Sequence, residues 1–249
     1  NTMTNTNWGL RAGDRTSASS LDTLTIDHNN ASQFANWDDS LSNSFHHNGF
    51  FAWAESGGML RNVKIYDNKF GPAWGIHTTG GVFMSGDFGS TQVYNNLFLD
   101  NANDAPSNGL ISLWPHSGAG TGYQVYNNTI IGGGVGRGVY LTGGNGTGVT
   151  TFTVKNNLIY DVGTAIAQFN PESSTMVADY NLGNSLKPSE EYYVAGFLSP
   201  AQWKAMGFDA HGTSGAPNRS GSYVPQSGSA AIDTGTSLSS VFTDDIAGT

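Results

Sequence analysis

Through the middle of the chain, short runs of β-branched and aromatic residues end repeatedly on asparagine. The copies are IDHNN at 26–30, IYDNKF at 65–70, VYNNLF at 93–98, VYNNTI at 125–130, VKNNLI at 154–159 and ADYNL at 178–182. Taking the fourth position as the marker gives Asn29, Asn68, Asn96, Asn128, Asn157 and Asn181, separated by 39, 28, 32, 29 and 24 residues. Gly-rich spacers lie between the copies, without the 3.6-residue period of a helix. The pattern predicts a coil of short parallel strands with one copy per rung. Asn tolerates the left-handed backbone of a sharp corner, and its amide can both donate and accept, so the markers are expected to stack as a structural ladder.

A second phrase alternates with the first: GFFAWAESG at 49–57, GVFMSGDFG at 81–89, GLISLWPHSG at 109–118 and GVYLTGGNG at 138–146. Period-two alternation puts Phe50, Ala52, Val82, Met84, Ile111, Leu113, Val139 and Leu141 on one apolar, inward face. The opposite face carries Phe51, Trp53 and Glu55, then Phe83, Ser85 and Asp87. It continues with Ser112, Trp114 and His116, one residue being added in that copy, then Tyr140 and Thr142. The pattern lapses near Gly183. Ser199 followed by Pro200 reads as an N-cap and first helical position, predicting a short helix over 200–206 that closes the end of the coil. One domain is expected, an all-β coil with rungs over about 22–182 and a capping segment over 183–249.

Composition narrows the function classes. Only 12% of the 249 residues are charged, and the absence of Cys rules out disulfides and thiolate metal sites. A net charge of −9 argues against nucleic acid and favours a neutral glycan over a polyanion. No stretch approaches the apolar length of a membrane span, and no signal-like segment opens the chain. A processed, secreted bacterial protein, monomeric and without nucleic-acid or membrane partners, is expected.

The Asn-marked rungs, the Gly-opened strands and the tail phrases QWKAMGFDAHG, SAAIDTG and TDDIAGT together resemble bacterial secreted right-handed parallel β-helix proteins of the pectate-lyase-like superfamily. The resemblance implies a single-stranded right-handed parallel β-helix with a C-terminal helix or loop cap, and a tail that runs on past Thr249. Relatives of this architecture include lyases, glycoside hydrolases, epimerases and adhesins, so it implies no single reaction. The Asp-rich motifs of polygalacturonases, the Asp-Pro-His motif of alginate epimerases and the basic catalytic pattern of pectate lyases are not matched. No catalytic residue is therefore carried over.

Candidate chemistry comes from the outward face. Rungs of a parallel coil lie about 4.8 Å apart, which makes Glu55 and Asp87 neighbours with His116 one rung on. Two such carboxylates either share a proton or hold a cation. As a glycosidase pair, one protonates the leaving oxygen while the other attacks or activates water, with no cofactor. As a lyase site, a divalent cation such as Ca²⁺ on Glu55 and Asp87 neutralises a uronate while His116 or another base removes the proton. The bland alternative is a pair of solvated acids beside turns. His46 and His47, in WDDSLSNSFHHNG at 37–49, are further acid/base candidates, although adjacent strand residues point apart and do not readily share a metal. Phe51, Trp53, Phe83, Trp114 and Tyr140 suit stacking on sugar rings, with His77 and Asp39 at the groove edge. A column of Tyr66, Tyr94 and Tyr126, continued by Lys155, is expected to be a packing ladder. The Gly-rich stretch 132–138 lacks the Lys and Ser/Thr of a phosphate loop. Polysaccharide hydrolysis is the leading expectation; cation-dependent elimination and a non-catalytic glycan-binding or adhesive solenoid are the alternatives.

Overall fold

The computed structural model describes residues 1–14, 20–38, 46–54, 59–99, 108–116, 122–134, 136–144, 150–215, 218–221, 223–232 and 234–243. They form an all-β parallel solenoid of three long sheets. Each turn of the coil visits the sheets in the same order. The rung beginning at Thr91, for example, runs through Thr91–Tyr94, turns at Asn95 and Asn96, continues as Leu97–Leu99, and reaches the next sheet at Ile111–Pro115. Thr91–Tyr94 belongs to the third sheet, Leu97–Leu99 to the ladder sheet and Ile111–Pro115 to the groove sheet.

The asparagines build the corner between the third sheet and the ladder sheet. The Nδ2 and backbone N–H of Asn68 both donate to Oδ1 of Asn96, at 2.9 and 3.1 Å, and the same pair of bonds recurs from Asn29 to Asn68, Asn96 to Asn128, Asn128 to Asn157 and Asn157 to Asn181. The line starts at Asn1, whose Nδ2 donates to Asn29 Oδ1, and ends at Asp209, whose Oδ1 accepts from Asn181. The left-handed residue is the one before each marker, not the marker itself: His28, Asp67, Asn95, Asn127, Asn156 and Tyr180 have φ between 48 and 60°. This leaves the ladder Asn in a conformation that directs its amide into the coil, where it meets backbone carbonyls as well as its neighbour.

Alternation on the groove sheet fills the interior. Leu10, Phe50, Val82, Ile111, Val139, Ile166 and Tyr192 are register partners from rung to rung, and beside them run Ala12, Ala52, Met84, Leu113, Leu141 and Gln168. Gln168, the one polar member of these columns, is satisfied by donating to Ser174 Oγ at 2.8 Å. Glycine opens the groove strands because the ladder sheet comes so close. A Cβ on Gly81 would stand 2.8 Å from both Leu110 O and Phe98 Cδ1.

The coil is longer than the motif. It begins with Thr2–Thr4 and Trp8–Asp14, well before residue 22, and it continues past residue 182 through Tyr192–Val194 and Thr213–Ser214. The helix spans Pro200–Ala205, with a capping box between Ser199 and Gln202, and it buries Trp203 flat against Tyr192 at 4.5 Å, closing the core. Leu198 and Phe208 pack on the same end of the core, and the described residues beyond Ser214 take another course. They fold back along the ladder sheet, where Tyr223, Ala230 and Ala231 cover the outward side chains Leu99, Ile131, Tyr160 and Leu182. Thr236 pairs with Asn156 in both directions, and Phe242 stacks on Tyr94 at 4.9 Å. The tyrosine column is thus a packing feature at Tyr66 and Tyr94, whose rings lie 4.8 Å apart and within 1° of parallel.

Candidate functional site

The outer face of the groove sheet carries two columns fixed by strand register. One runs Arg11, Phe51, Phe83, Ser112, Tyr140, Ala167 and Tyr193; the other runs Gly13, Trp53, Ser85, Trp114, Thr142 and Phe169. Aromatic rings pass from column to column as a continuous row. Successive centroids lie 5.7 Å apart for Trp8 and Phe51, 5.7 for Phe51 and Phe83, 5.3 for Phe83 and Trp114, and 5.4 for Trp114 and Tyr140. The row then reaches Phe169 at 4.7 Å and Tyr193 at 4.4 Å. The guanidinium of Arg137 lies over Tyr140 and Phe169 at 5.2 and 5.3 Å.

The two halves of the row differ in access. Phe51 and Phe83 point outward as the alternation requires, yet they are buried, at 4% and 6% exposure, with Trp8 against Phe51 and the His46 ring edge-on to both. They are a floor, not a stacking surface. Trp53, Trp114 and Tyr140 are half-buried and keep open area. Beside Trp114 and Tyr140 lies a cleft of about 320 Å³, also lined by His116, Thr142 and Asn170. Within it Trp114 Nε1 and Thr142 Oγ1 are buried without a hydrogen-bond partner among the described residues. Leaving such groups unpaired costs about 1–3 kcal/mol each.

Of the candidate acids, Glu55 and Asp39 lie outside the described residues. Asp87 follows the strand end Gly86, and its N–H donates to Ala54 O at 2.8 Å, so the backbones leading to Glu55 and Asp87 run side by side. The Asp87 carboxylate is half-buried. Burial first, and the charge of Asp87 second, raises the phenol of Tyr123 well above its usual range. His116 is exposed, and its Nε2 lies 3.1 Å from Ser85 Oγ.

The histidine pair separates. His47 is fully buried, with Nε2 2.8 Å from Asp38 Oδ1 and Nδ1 against Asn7 Oδ1. Asp38 Oδ2 also accepts from the N–H of Ile76 at 2.8 Å. His47 therefore ties three segments together inside the protein and cannot meet a substrate as the acid/base first expected of it. The ring of His77 faces His47 at 6.2 Å, so it belongs with this cluster and not with the aromatic row. His46 takes the other direction. Its Nδ1 lies 2.7 Å from Asn48 Oδ1, and burial lowers its pKa, with the neighbouring His47 acting in the same sense and the Asn48 bond opposing. Asn48 Nδ2 donates to Thr79 Oγ1 and Gly80 O, and Thr79 Oγ1 in turn lies 3.1 Å from the same His46 Nδ1.

Sequence alternation missed Phe169 and Tyr193 because Ala165 and Glu191 stand where the other groove strands have their opening glycine, and it missed Trp8 because its register partner is Asn48, a position before the alternating phrase begins. Among the described residues no three His, Asp or Glu side chains gather as a metal site. No protein-family model, curated protein or solved structure matches this chain.

Proposed function

We propose that the coil is a right-handed parallel β-helix of the pectate-lyase-like kind, that its groove sheet binds a polysaccharide along the outer aromatic row, and that the glycosidic bonds of the bound chain are hydrolysed where the row meets Glu55, Asp87 and His116. The handedness follows from strand twist, which makes parallel crossovers right-handed in almost every case. The observation that carries the binding reading is the cleft beside Trp114 and Tyr140. Its aromatic faces suit the apolar faces of sugar rings, while Trp114 Nε1, Thr142 Oγ1 and Asn170 suit sugar hydroxyls. The excess of 19 acidic over 10 basic residues favours a neutral glycan, met outside a bacterial cell by a monomer without a cofactor. Elimination would instead place a divalent cation such as Ca²⁺ on Glu55 and Asp87.

A binding-only solenoid is the second reading. It is favoured by the position of Asp87, whose carboxylate acts electrostatically on the core tyrosine Tyr123. Incubation with a panel of polysaccharides separates the readings. Hydrolysis yields new reducing ends, lost in Glu55→Gln and Asp87→Asn with binding retained; elimination yields ultraviolet-absorbing unsaturated ends that chelator suppresses. Retardation in a glycan gel without any new chain ends would leave binding alone, and absence of retardation by every glycan would sink the platform itself.

A further inference from the structure

Ser85 and His116 meet in a way that the carboxylate chemistry does not require. Ser85 sits in the second outward column, paired in register with Trp53 on one side and Trp114 on the other. The residue after it, Gly86, has φ +128°, and a Cβ there would lie 1.9 Å from Ala54 O, so only glycine permits the bend that follows the serine. The carbonyl of Gly86 accepts from the N–H of His116 at 2.8 Å, which pins the strand end bearing the imidazole to the strand end bearing the hydroxyl. The result is Ser85 Oγ 3.1 Å from His116 Nε2. In the same column, one and two rungs on, stand Trp114 Nε1 and Thr142 Oγ1, buried polar atoms without a partner among the described residues.

A hydroxyl within reach of an imidazole nitrogen, beside an unpaired N–H donor, is the set of parts that acyl transfer needs. We infer that Ser85 and His116 are a nucleophile and base that cleave carboxylic esters, with acyl substituents on the hydroxyls of a bound glycan as the substrate class. Ser85 Oγ adds to the ester carbonyl as its proton passes to His116 Nε2, and Trp114 Nε1–H donates to the oxyanion. The bond from the carbonyl carbon to the sugar oxygen breaks, and the sugar oxygen takes the proton from His116. Water then adds to the acyl-serine, giving a proton to His116; the carboxylic acid leaves and Ser85 recovers its proton. The glycan as carrier of the acyl group rests on the function proposed above, whereas the ester chemistry does not.

The folded full chain is treated with a fluorophosphonate and mapped by peptide mass, and turnover of 4-nitrophenyl acetate is measured in parallel. Phosphonate is expected on Ser85, with ester turnover falling about a hundredfold or more in Ser85→Ala and in the exposed-site variant His116→Gln. Trp114→Phe keeps a ring but removes the N–H, and is expected to slow turnover about a hundredfold while the label stays on Ser85; a packing role alone would not produce that split. No label on Ser85, or equal turnover by Ser85→Ala and wild type, overturns the dyad, and does so even when glycan gels show the platform intact. Labelled Ser85 with simple-ester turnover but no glycan retention upholds the dyad and overturns the glycan as its substrate.

Discussion

The Asn ladder and the outer aromatic row are both columns of side chains repeated rung by rung on one coil, and they treat their polar atoms in opposite ways. Asn68 donates from Nδ2 to Ile26 O, Tyr66 O and Asn96 Oδ1, and its own Oδ1 accepts twice from Asn29. Nothing is left over. On the aromatic row the residue type varies, burial runs from closed at Phe51 to half-open at Trp114, and Trp114 Nε1 and Thr142 Oγ1 have no partner among the described residues. A uniform, fully paired column specifies the fold, since each rung dictates the next. A varied column with half-open rings leaves side-chain surface uncommitted to the coil, which is what the proposed binding role requires.

The sharpest way to break that contrast is to remove one ladder residue. Asn128→Ala takes away the acceptor for both the N–H and Nδ2 of Asn96 and the donor to Val93 O, all buried. A loss of about 3–5 kcal/mol is expected in urea unfolding, because several buried groups are orphaned together. A loss below about 1 kcal/mol would mean that the ladder is incidental to stability.

Second in size is Phe51→Ala, at about 2–4 kcal/mol, since this outward ring is buried under Trp8 and His46. Trp114→Ala is expected to cost less stability while weakening retention in a glycan gel about tenfold or more, the loss of one well-stacked ring. If Phe51→Ala weakens retention while remaining as stable as wild type, the division of the row into floor and platform is wrong.

These two residues also mark the limit of what the sequence discloses. The motif Asn and the period-two alternation identify the corner, the strands and the inward columns, because backbone geometry alone determines them. Alternation also assigns Phe51 and Trp114 to the same face. It is silent on what covers that face, so the burial of Phe51 by Trp8, from another rung, was not legible. The divergence of His46 and His47 follows the rule for adjacent strand residues, but the partners Asn7 and Asp38 come from elsewhere in the chain. The ladder's terminus was hidden for a chemical reason. At the last rung both carboxylate oxygens must accept, one from Asn181 and the other from Trp203 Nε1 at 2.8 Å, so Asp209 replaces the expected Asn and breaks the motif.

The smallest predicted effect tests whether a buried polar group outside the ladder behaves differently from one within it. Glu191 immediately precedes the groove strand Tyr192–Val194, and its carbonyl accepts from the N–H of Ala165 at 2.6 Å. It is 3% exposed, and its Oε1 has no partner among the described residues. Burial raises its pKa, opposed by hydrogen bonds from Tyr192 and the backbone of Ser185. Between the ordinary carboxylate value and this raised value the folded protein binds more protons than the unfolded chain, so stability falls as pH rises through that window. Burial likewise raises the pKa of Asp209, and its contribution has the same sign. Glu191→Gln removes one of the two contributions and a buried charge. Unfolding midpoints near pH 4, below the ordinary Glu value of 4.5, and at a higher pH past the window should therefore differ less in the variant than in wild type. At the higher pH the variant should be the more stable by about 1 kcal/mol. If it is instead less stable at both, the Glu191 carboxylate is as well satisfied as a ladder Asn, and the contrast between paired and unpaired polar groups does not extend to the closed end of the coil.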